Sequence, residues 1–422
     1  MSTGTRALWG AVAAGLMARI GFIAWTSPLT LSWDEERFWS LAGTGLAGTA
    51  FIPPLYPLFL AAVRALLGDD VLRARLLQAL LSTVSILLTH RLAERHMGRG
   101  EGRWPAWVMA LSPTLIYWDG RLRSESLLIL LLLGFTWLWT APAKADVRPP
   151  LAAGAILGLA VLGRPDCVLL LPILAACAWR RDGWRPAARR TALLLPGMLL
   201  LLVPWAARNA AVVGVWAPVS TNAGYNFWKS FNEATDGSQI PVADGSALEG
   251  VAEADLDAQG LRLGWDFIAA HPWRSLLLVP AKWGHLFGPE RDLLSDIRRR
   301  HYPIRLPGLD LTMAVVMNLA WAALLALGLY ALIGPLRSEV KDVAVAMLLV
   351  LLLTHAVFFG DDRFHVPLVP FLCIALPEAW AGGVRGRGRV GLLALALLAE
   401  AAFWIAILAR DVDRLRTLFT GA

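Results

Sequence analysis

Charge is what this sequence has least of for its length. Of 422 residues only 17% are charged, while 57% are hydrophobic; a soluble domain is usually about a quarter charged. That scarcity excludes a disordered chain, a collagen-like fibre and an ordinary cytosolic enzyme. Cysteine is scarce as well. Cys167, Cys177 and Cys373 all lie in apolar runs, so they read as small core hydrophobes rather than a disulfide framework or a metal cluster. The seven histidines show neither HxH nor HExxH spacing, and no metal site is expected from them. There is no internal repeat, no low-complexity tract and no separate soluble domain. The first apolar run lacks a small-residue cleavage signature, so no cleavable signal peptide is expected.

What is present is apolar sequence in long runs, with 37 Gly, 25 Pro and 20 Trp, all compatible with membrane helices and their interfaces. Runs fall near 7–27, 71–92, 104–119, 125–140, 150–163, 167–180, 191–207, 309–335, 342–359, 366–381 and 390–409. The expected fold is therefore an all-α integral membrane protein with about eleven transmembrane helices. Pro53–Leu67 carries Arg64 and is read as an interfacial juxtamembrane helix. With the N-terminus inside, seventeen Lys and Arg fall in the inner connections and five in the short outer ones, which fixes the orientation by the positive-inside rule. The expected division is 1–207, seven spans with a first outer loop at 28–70; 208–308, a long outer loop; and 309–422, further spans and a short tail. Within the loop, Ser246–Ala270 and His271–Phe287 read as amphipathic helices, the second interrupted by Pro280.

The unusual polar residues gather on the outer face. Asp34, Glu35 and Glu36 follow the first span; Arg121, Arg123 and Glu125 join the third and fourth; Arg164 and Asp166 join the fifth and sixth; Asp361, Asp362, Arg363 and His365 precede the tenth. Each group has a plain reading. Ser32-Trp33-Asp34-Glu35 fits a capping box, Ser124-Glu125 a cap and first-turn acid, Arg164-Pro165-Asp166 a turn, and Asp361-Asp362-Arg363 a local ion pair. Capping does not require all four on one side, however, and ionisable groups at membrane depth tend to line a cavity.

Several stretches resemble a known family. Trp33-Asp34-Glu35 looks like the acidic motif in the first outer loop of the protein O-mannosyltransferases, members of the GT-C superfamily with the bacterial aminoarabinose transferases. Pro53-Pro54-Leu55-Tyr56-Pro57 is similar to the start of their juxtamembrane helix. Leu111-Ser112-Pro113 with Arg121…Arg123-Ser124-Glu125, Gly163-Arg164-Pro165, Asn222-Ala223-Gly224-Tyr225-Asn226-Phe227-Trp228 and Arg363-Phe364-His365-Val366-Pro367-Leu368-Val369-Pro370 resemble four more stretches, in order, over most of residues 1–380. The sequence departs at Phe51 and Ile52, where some relatives place a charge before the proline pair.

The resemblance implies an inverting glycosyltransferase that moves a sugar from a polyprenyl-phosphate donor to an acceptor hydroxyl on the extracytoplasmic face, the periplasmic side of a bacterial inner membrane. It implies Asp34 and Glu35 as catalytic residues; Arg363, His365, Arg121, Arg123 and Arg164 at the donor phosphate; and Glu125, Tyr56, Asn222, Tyr225 and Trp228 at the substrate. No metal or other cofactor is expected, since arginines suit a leaving monophosphate. The expected partners are the polyprenyl-phosphate sugar, a lipid, glycan or protein acceptor, and membrane lipids, without nucleic acid. The alternative is a transporter or flippase for a lipid-linked or anionic substrate.

Overall fold

The computed structural model describes residues 3–141, 148–239, 247–298, 301, 307–381 and 387–410. Among them the regular structure is helical, and the one strand-like feature is an isolated parallel bridge between Ser238 and Gly360. The helices are α1 (Thr3–Trp25), α2 (Trp33–Thr44), α3 (Leu55–Leu67), α4 (Val71–Met97), α5 (Arg103–Leu111), α6 (Pro113–Asp119), α7 (Glu125–Trp139), α8 (Arg148–Gly163), α9 (Leu170–Asp182) and α10 (Trp184–Ala192). Then come α11 (Leu195–Val213), α12 (Ala223–Ser230), α13 (Glu253–Ala270), α14 (Pro272–Leu286), α15 (Asp292–Arg298), α16 (Pro307–Leu332), α17 (Glu339–Val357), α18 (Val369–Trp380) and α19 (Arg387–Arg410). Two 3-10 turns, Pro165–Leu169 and Asp362–Leu368, lead into α9 and α18.

This is an integral membrane protein. Among the described residues five segments are long and apolar enough to cross a membrane: Gly4–Trp25, Val71–Met97, Trp184–Val213, Thr312–Leu332 and Glu339–Val357. These are five of the eleven expected runs; Glu125–Trp139 and Pro149–Gly163 are shorter apolar helices at two more, and local chemistry shortens three others. Ser112 caps a new helix with Pro113 at its first position, which divides the 104–119 run into α5 and α6. Prolines likewise turn the starts of the 167–180 and 366–381 runs into 3-10 geometry, because proline lacks the N–H that an α-helix needs. In the long loop, α13 starts at Glu253, and the expected start at Ser246 lies outside the described residues. Helix α14 runs unbroken through Pro280.

Packing in the bundle relies on close backbone approach. A Cβ added at Gly154 would lie 2.0 Å from the Leu194 carbonyl oxygen, and one at Gly197 2.2 Å from that of Leu151. Helices α8 and α11 thus meet backbone to backbone, the small-residue contact that suits helices in lipid, where apolar burial alone drives no association. The upper end of the bundle is pinned by a buried ion pair. Arg19 Nε donates to Asp119 at 2.6 Å, and Ser82 and Ser126 donate to the same carboxylate. Arg19 also reaches the carbonyls of Gly15 and Ala110. Arg75 holds the Gly120 carbonyl at 2.7 Å, and Gln78 that of Arg121. These bonds join α1, α4, α6 and α7, and fix the 120–124 turn.

Candidate active site

The site starts at the N-terminus of α2. Ser32 N–H donates to Glu35 Oε2 at 2.7 Å, the back-bond of a capping box. Capping leaves Asp34 in the first turn, with its side chain 25% exposed. One oxygen, Oδ2, accepts from Arg123 Nη1 and from Arg363 Nη1, the latter at 2.8 Å. Among the described residues Oδ1 accepts no hydrogen bond. Burial pushes the Asp34 carboxyl up, but the guanidiniums of Arg363 and Arg123 outweigh it and hold it below the usual carboxylate range. Asp34 is therefore ionised at working pH, opens to solvent, and stands between two cations brought from the α6–α7 turn and from the turn before α18.

Glu35 is placed differently. It is fully buried and accepts from Ser32 N–H, from Arg121 Nε and Nη2, and from the Leu122 N–H. Burial raises its carboxyl, and Arg121 and Arg123 more than reverse this. Such a saturated carboxylate anchors the α6–α7 turn against α2. Arg121 also bonds Asp296 and is 2% exposed.

The residues expected at the phosphate divide into two groups. Arg123, Arg164 and Arg363 belong to the opening. Arg164 grips Asp166 with two bonds, 3.2 and 2.8 Å. The guanidinium carbons of Arg164 and Arg363 lie 5.0 and 4.9 Å from the Phe364 ring centroid. Arg363 also reaches Gln239 at 3.3 Å. Arg121 and His365 stand behind them. The His365 ring is wholly buried, stacks on Trp321 at 3.7 Å, and uses both nitrogens toward the Leu286 carbonyl and Glu290. It holds the turn that carries Arg363 against α14 and α16.

Of the residues expected at the substrate, Glu125 is 94% enclosed (6% exposed), and its Oε2 has no hydrogen-bond partner among the described residues. Its charge acts on Arg123, Arg164 and Arg363. A buried, unsatisfied carboxylate is costly. Tyr56 is buried and its hydroxyl donates to Gln78, which braces α3 on α4. Asn222 precedes α12 and accepts from Ser220. Tyr225 and Trp228 are half-buried on α12, with Tyr225 edge-on to Phe51. Lys229, on the same helix, acts electrostatically on the group formed by Arg363, Asp34 and Asp361. It lies one residue beyond the quoted motif and was missed.

The sequence also gave no sign of Asp292. Ligand oxygens of Asp292, Asp361 and Asp362 lie within 4.8 Å of one another. Burial and the neighbouring Asp361 push Asp292 up to about 7, and burial with Asp292 and Asp361 pushes Asp362 up strongly. The acids are interleaved with the arginines: Arg363, which pairs with Asp34, also lies 3.8 Å from Asp361. The outer loop holds the α2–α3 connection. Glu253 accepts from Ala50 N–H, Thr49 Oγ1 and Thr221 Oγ1 at 2.7–2.8 Å.

Comparison with known proteins agrees with this architecture. Residues 52–207 match the family described as dolichyl-phosphate-mannose-protein mannosyltransferase, well under half of the chain. No curated protein matches. Among solved structures, the oligosaccharyltransferase AglB from Archaeoglobus fulgidus, in complex with an inhibitory peptide and a dolichol-phosphate, is similar at TM-score 0.50 and 13% identity. That match covers 97% of this chain and 56% of AglB. The Archaeoglobus fulgidus oligosaccharyltransferase complexed with Zn and sulfate gives 0.50 and 12%, covering 96% and 51%. ArnT from Cupriavidus metallidurans bound to undecaprenyl phosphate gives 0.45 and 17%, covering 98% and 80%. The chain spans about half the length of the oligosaccharyltransferases it matches, and at this identity the likeness is one of fold. In fold and in the matched segment, the chain resembles the GT-C membrane glycosyltransferases.

Proposed function

We propose that the protein is an inverting glycosyltransferase, moving a sugar from a polyprenyl-phosphate carrier to an acceptor hydroxyl at the end of the bundle where Asp34 lies. The observation that carries this reading is the Asp34 carboxylate, which shares one oxygen between Arg123 and Arg363 and leaves the other open. The acceptor oxygen attacks the anomeric carbon as the bond from that carbon to the phosphate oxygen breaks. The acceptor proton passes to Asp34, and polyprenyl phosphate leaves with the bonding electron pair. A carboxylate within hydrogen-bond reach suits the base. Guanidiniums suit the leaving phosphate, which they contact in a planar, two-pronged way.

The arginines that depress Asp34 are the same ones offered to the phosphate. A bound donor phosphate competes for them, and Asp34 regains basicity when the substrate is in place. Glu125 receives a sugar hydroxyl. The reaction is metal-independent, because Arg123, Arg164 and Arg363 neutralise the departing charge. The excess of basic residues in the opposite connections supports an outside location for this chemistry.

Incubating the purified protein with a labelled polyprenyl-phosphate sugar and an envelope lipid and glycan extract tests the reading. Release of polyprenyl phosphate with label moved to the extract is expected. Vesicle uptake of the intact donor without bond cleavage would instead indicate a transporter.

A further inference from the structure

Glu290 lies in the connection between α14 and α15, and no sequence motif pointed to it. It is 1% exposed. Its Oε1 accepts from Thr114 Oγ1 of α6 at 2.6 Å and faces His365 Nε2 at 3.3 Å. Its main chain is tied to α16. Asn318 Oδ1 accepts from the Glu290 N–H at 2.9 Å, and Asn318 Nδ2 donates to the Glu290 carbonyl at 3.2 Å. Oε2 has no hydrogen-bond partner among the described residues.

The surroundings of the His365 ring fix where the protons are. Nδ1 faces the Leu286 carbonyl at 2.7 Å, and a carbonyl oxygen only accepts. Nε2 faces the Glu290 oxygen. A neutral imidazole has one N–H and can serve one of these acceptors, whereas an imidazolium serves both. A protonated Glu290 fits less well. An O–H donor on Oε1 would sit about 2.5–3.0 Å from its acceptor, closer than the 3.3 Å found. One on Oε2 would be buried with nothing to accept it. Trp321 gives an independent argument. Its ring lies flat on that of His365, with centroids 3.7 Å apart and planes 6° apart, and an indole face attracts a cation.

We propose that Glu290 and Trp321 hold His365 as an imidazolium ion, and that this buried ion pair positions Arg363 for the donor phosphate. The inference rests on the transferase reading and adds to it the residues that set its phosphate-binding arginine. His365 belongs to the 3-10 turn Asp362–Leu368, two residues beyond Arg363. One residue before Arg363, Asp362 Oδ2 accepts from the Arg291 N–H at 2.6 Å. The 286–291 segment thus frames Arg363 from both sides, and Arg363 Nη1 meets Asp34 at 2.8 Å. A guanidinium gives phosphate two parallel bonds only when its plane is set, so the turn has to be stiff. Removing the charge from one member of the pair leaves the other buried without compensation, and the turn is kept or lost with the pair. Both side chains are buried and act through Arg363.

The test reads the proton and the binding separately, on the full chain in nanodiscs. Solid-state NMR of protein with isotope-labelled histidine, the His365 signal being the one lost in His365→Asn, should show hydrogen on both ring nitrogens at neutral pH. A neutral ring overturns the proposal. Glu290→Gln keeps the shape and the Oε1 acceptor but removes the charge. In that variant His365 should lose a proton, and decaprenyl phosphate should bind about tenfold more weakly, the lower end of what is lost when the partner orienting a ligating side chain is removed. The rate of sugar transfer at saturating donor should stay near the parent's, because Asp34 is untouched. Parent-like binding would overturn the positioning role, and so would a saturated rate that falls as much as the affinity. If Glu290→Gln does not fold, Thr114→Val takes its place. It strips one donor from Glu290 and should weaken binding in the same direction; parent-like binding there overturns the proposal equally. Neither the spectrum nor the binding needs sugar transfer. A protein with the doubly protonated ring and the weakened binding in Glu290→Gln, yet releasing no polyprenyl phosphate, would sink the transferase reading and leave the Glu290–His365 pair standing.

Discussion

Individual side chains in this site have roles that their neighbours set. Asp34 and Glu35 are adjacent, but only Glu35 stands three residues after Ser32 and can close the capping box. Arg121 and the Leu122 N–H, from a turn some 86 residues away, then saturate it. Asp34 is left with an open oxygen. The box is legible in the sequence, but the distant arginine and N–H are not, which is why both acids read as catalytic there. His365 was legible only as a polar residue near Arg363; its stacking on Trp321 depends on a partner from α16. Arg363 invites a charge-preserving test. Lysine keeps an ion pair with Asp34 but loses the fork that a phosphate needs, so Arg363→Lys should weaken donor binding with little change in melting temperature. Parent-like affinity would return Arg363 to a purely structural pairing. Asp292 makes a pH prediction. Its folded-state pKa, about 7, lies above the unfolded value near 3.9. In that window the folded protein keeps a proton the unfolded chain has released, so stability falls as pH rises from about 4 to 7. Asp292→Asn should flatten that part of a melting-temperature profile, and an unchanged slope would show that another group is responsible.

At the scale of elements, the sequence was most informative where apolar runs were long and uninterrupted. Helices α4, α7, α16 and α17 lie close to their expected limits, since none of these helices holds a proline after its first turn. The run at 104–119 was misleading because hydropathy does not register what Ser112-Pro113 does to the backbone. The amphipathic α13 was found from its spacing, but its start was not, because Glu253 opens the helix through bonds to Thr49, Ala50 and Thr221 in other segments. The contact of α8 with α11 gives a direct stability test. Gly197→Val places a branched side chain against the Leu151 carbonyl and must push the helices apart, at about 1–3 kcal/mol by analogy with overpacked cores. Gly391→Ala in α19 meets nothing within 4 Å and should leave the melting temperature unchanged or slightly higher. Equal effects from the two would contradict the close packing.

The whole molecule places four separate connections at one end, and that was legible from charge. Acids and arginines cluster on the side opposite the basic connections, which the costs of membrane insertion favour. The grouping of Asp34, Arg123, Arg164 and Arg363 in space follows that reading; the acidic cluster of Asp292, Asp361 and Asp362 does not, because it is assembled from α15 and the turn before α18. Sidedness itself is open to labelling. Cysteines at the exposed positions Ala188 and Ala234 should react with a membrane-impermeant thiol reagent from opposite sides, and reaction of both in intact cells would reject the orientation. Chelation tests the metal-independent chemistry. EDTA should leave sugar transfer unchanged, and a loss restored by a divalent ion would move attention to Asp292, Asp361 and Asp362. The most direct measurement of the central claim is the single-turnover rate of Asp34→Asn, taken with donor saturating and donor affinity measured on the same sample. The expected result is a fall of about 10²–10⁴-fold in rate with donor affinity retained. Transfer at the parent rate would contradict the account and leave Asp34 as a first-turn acid holding two arginines.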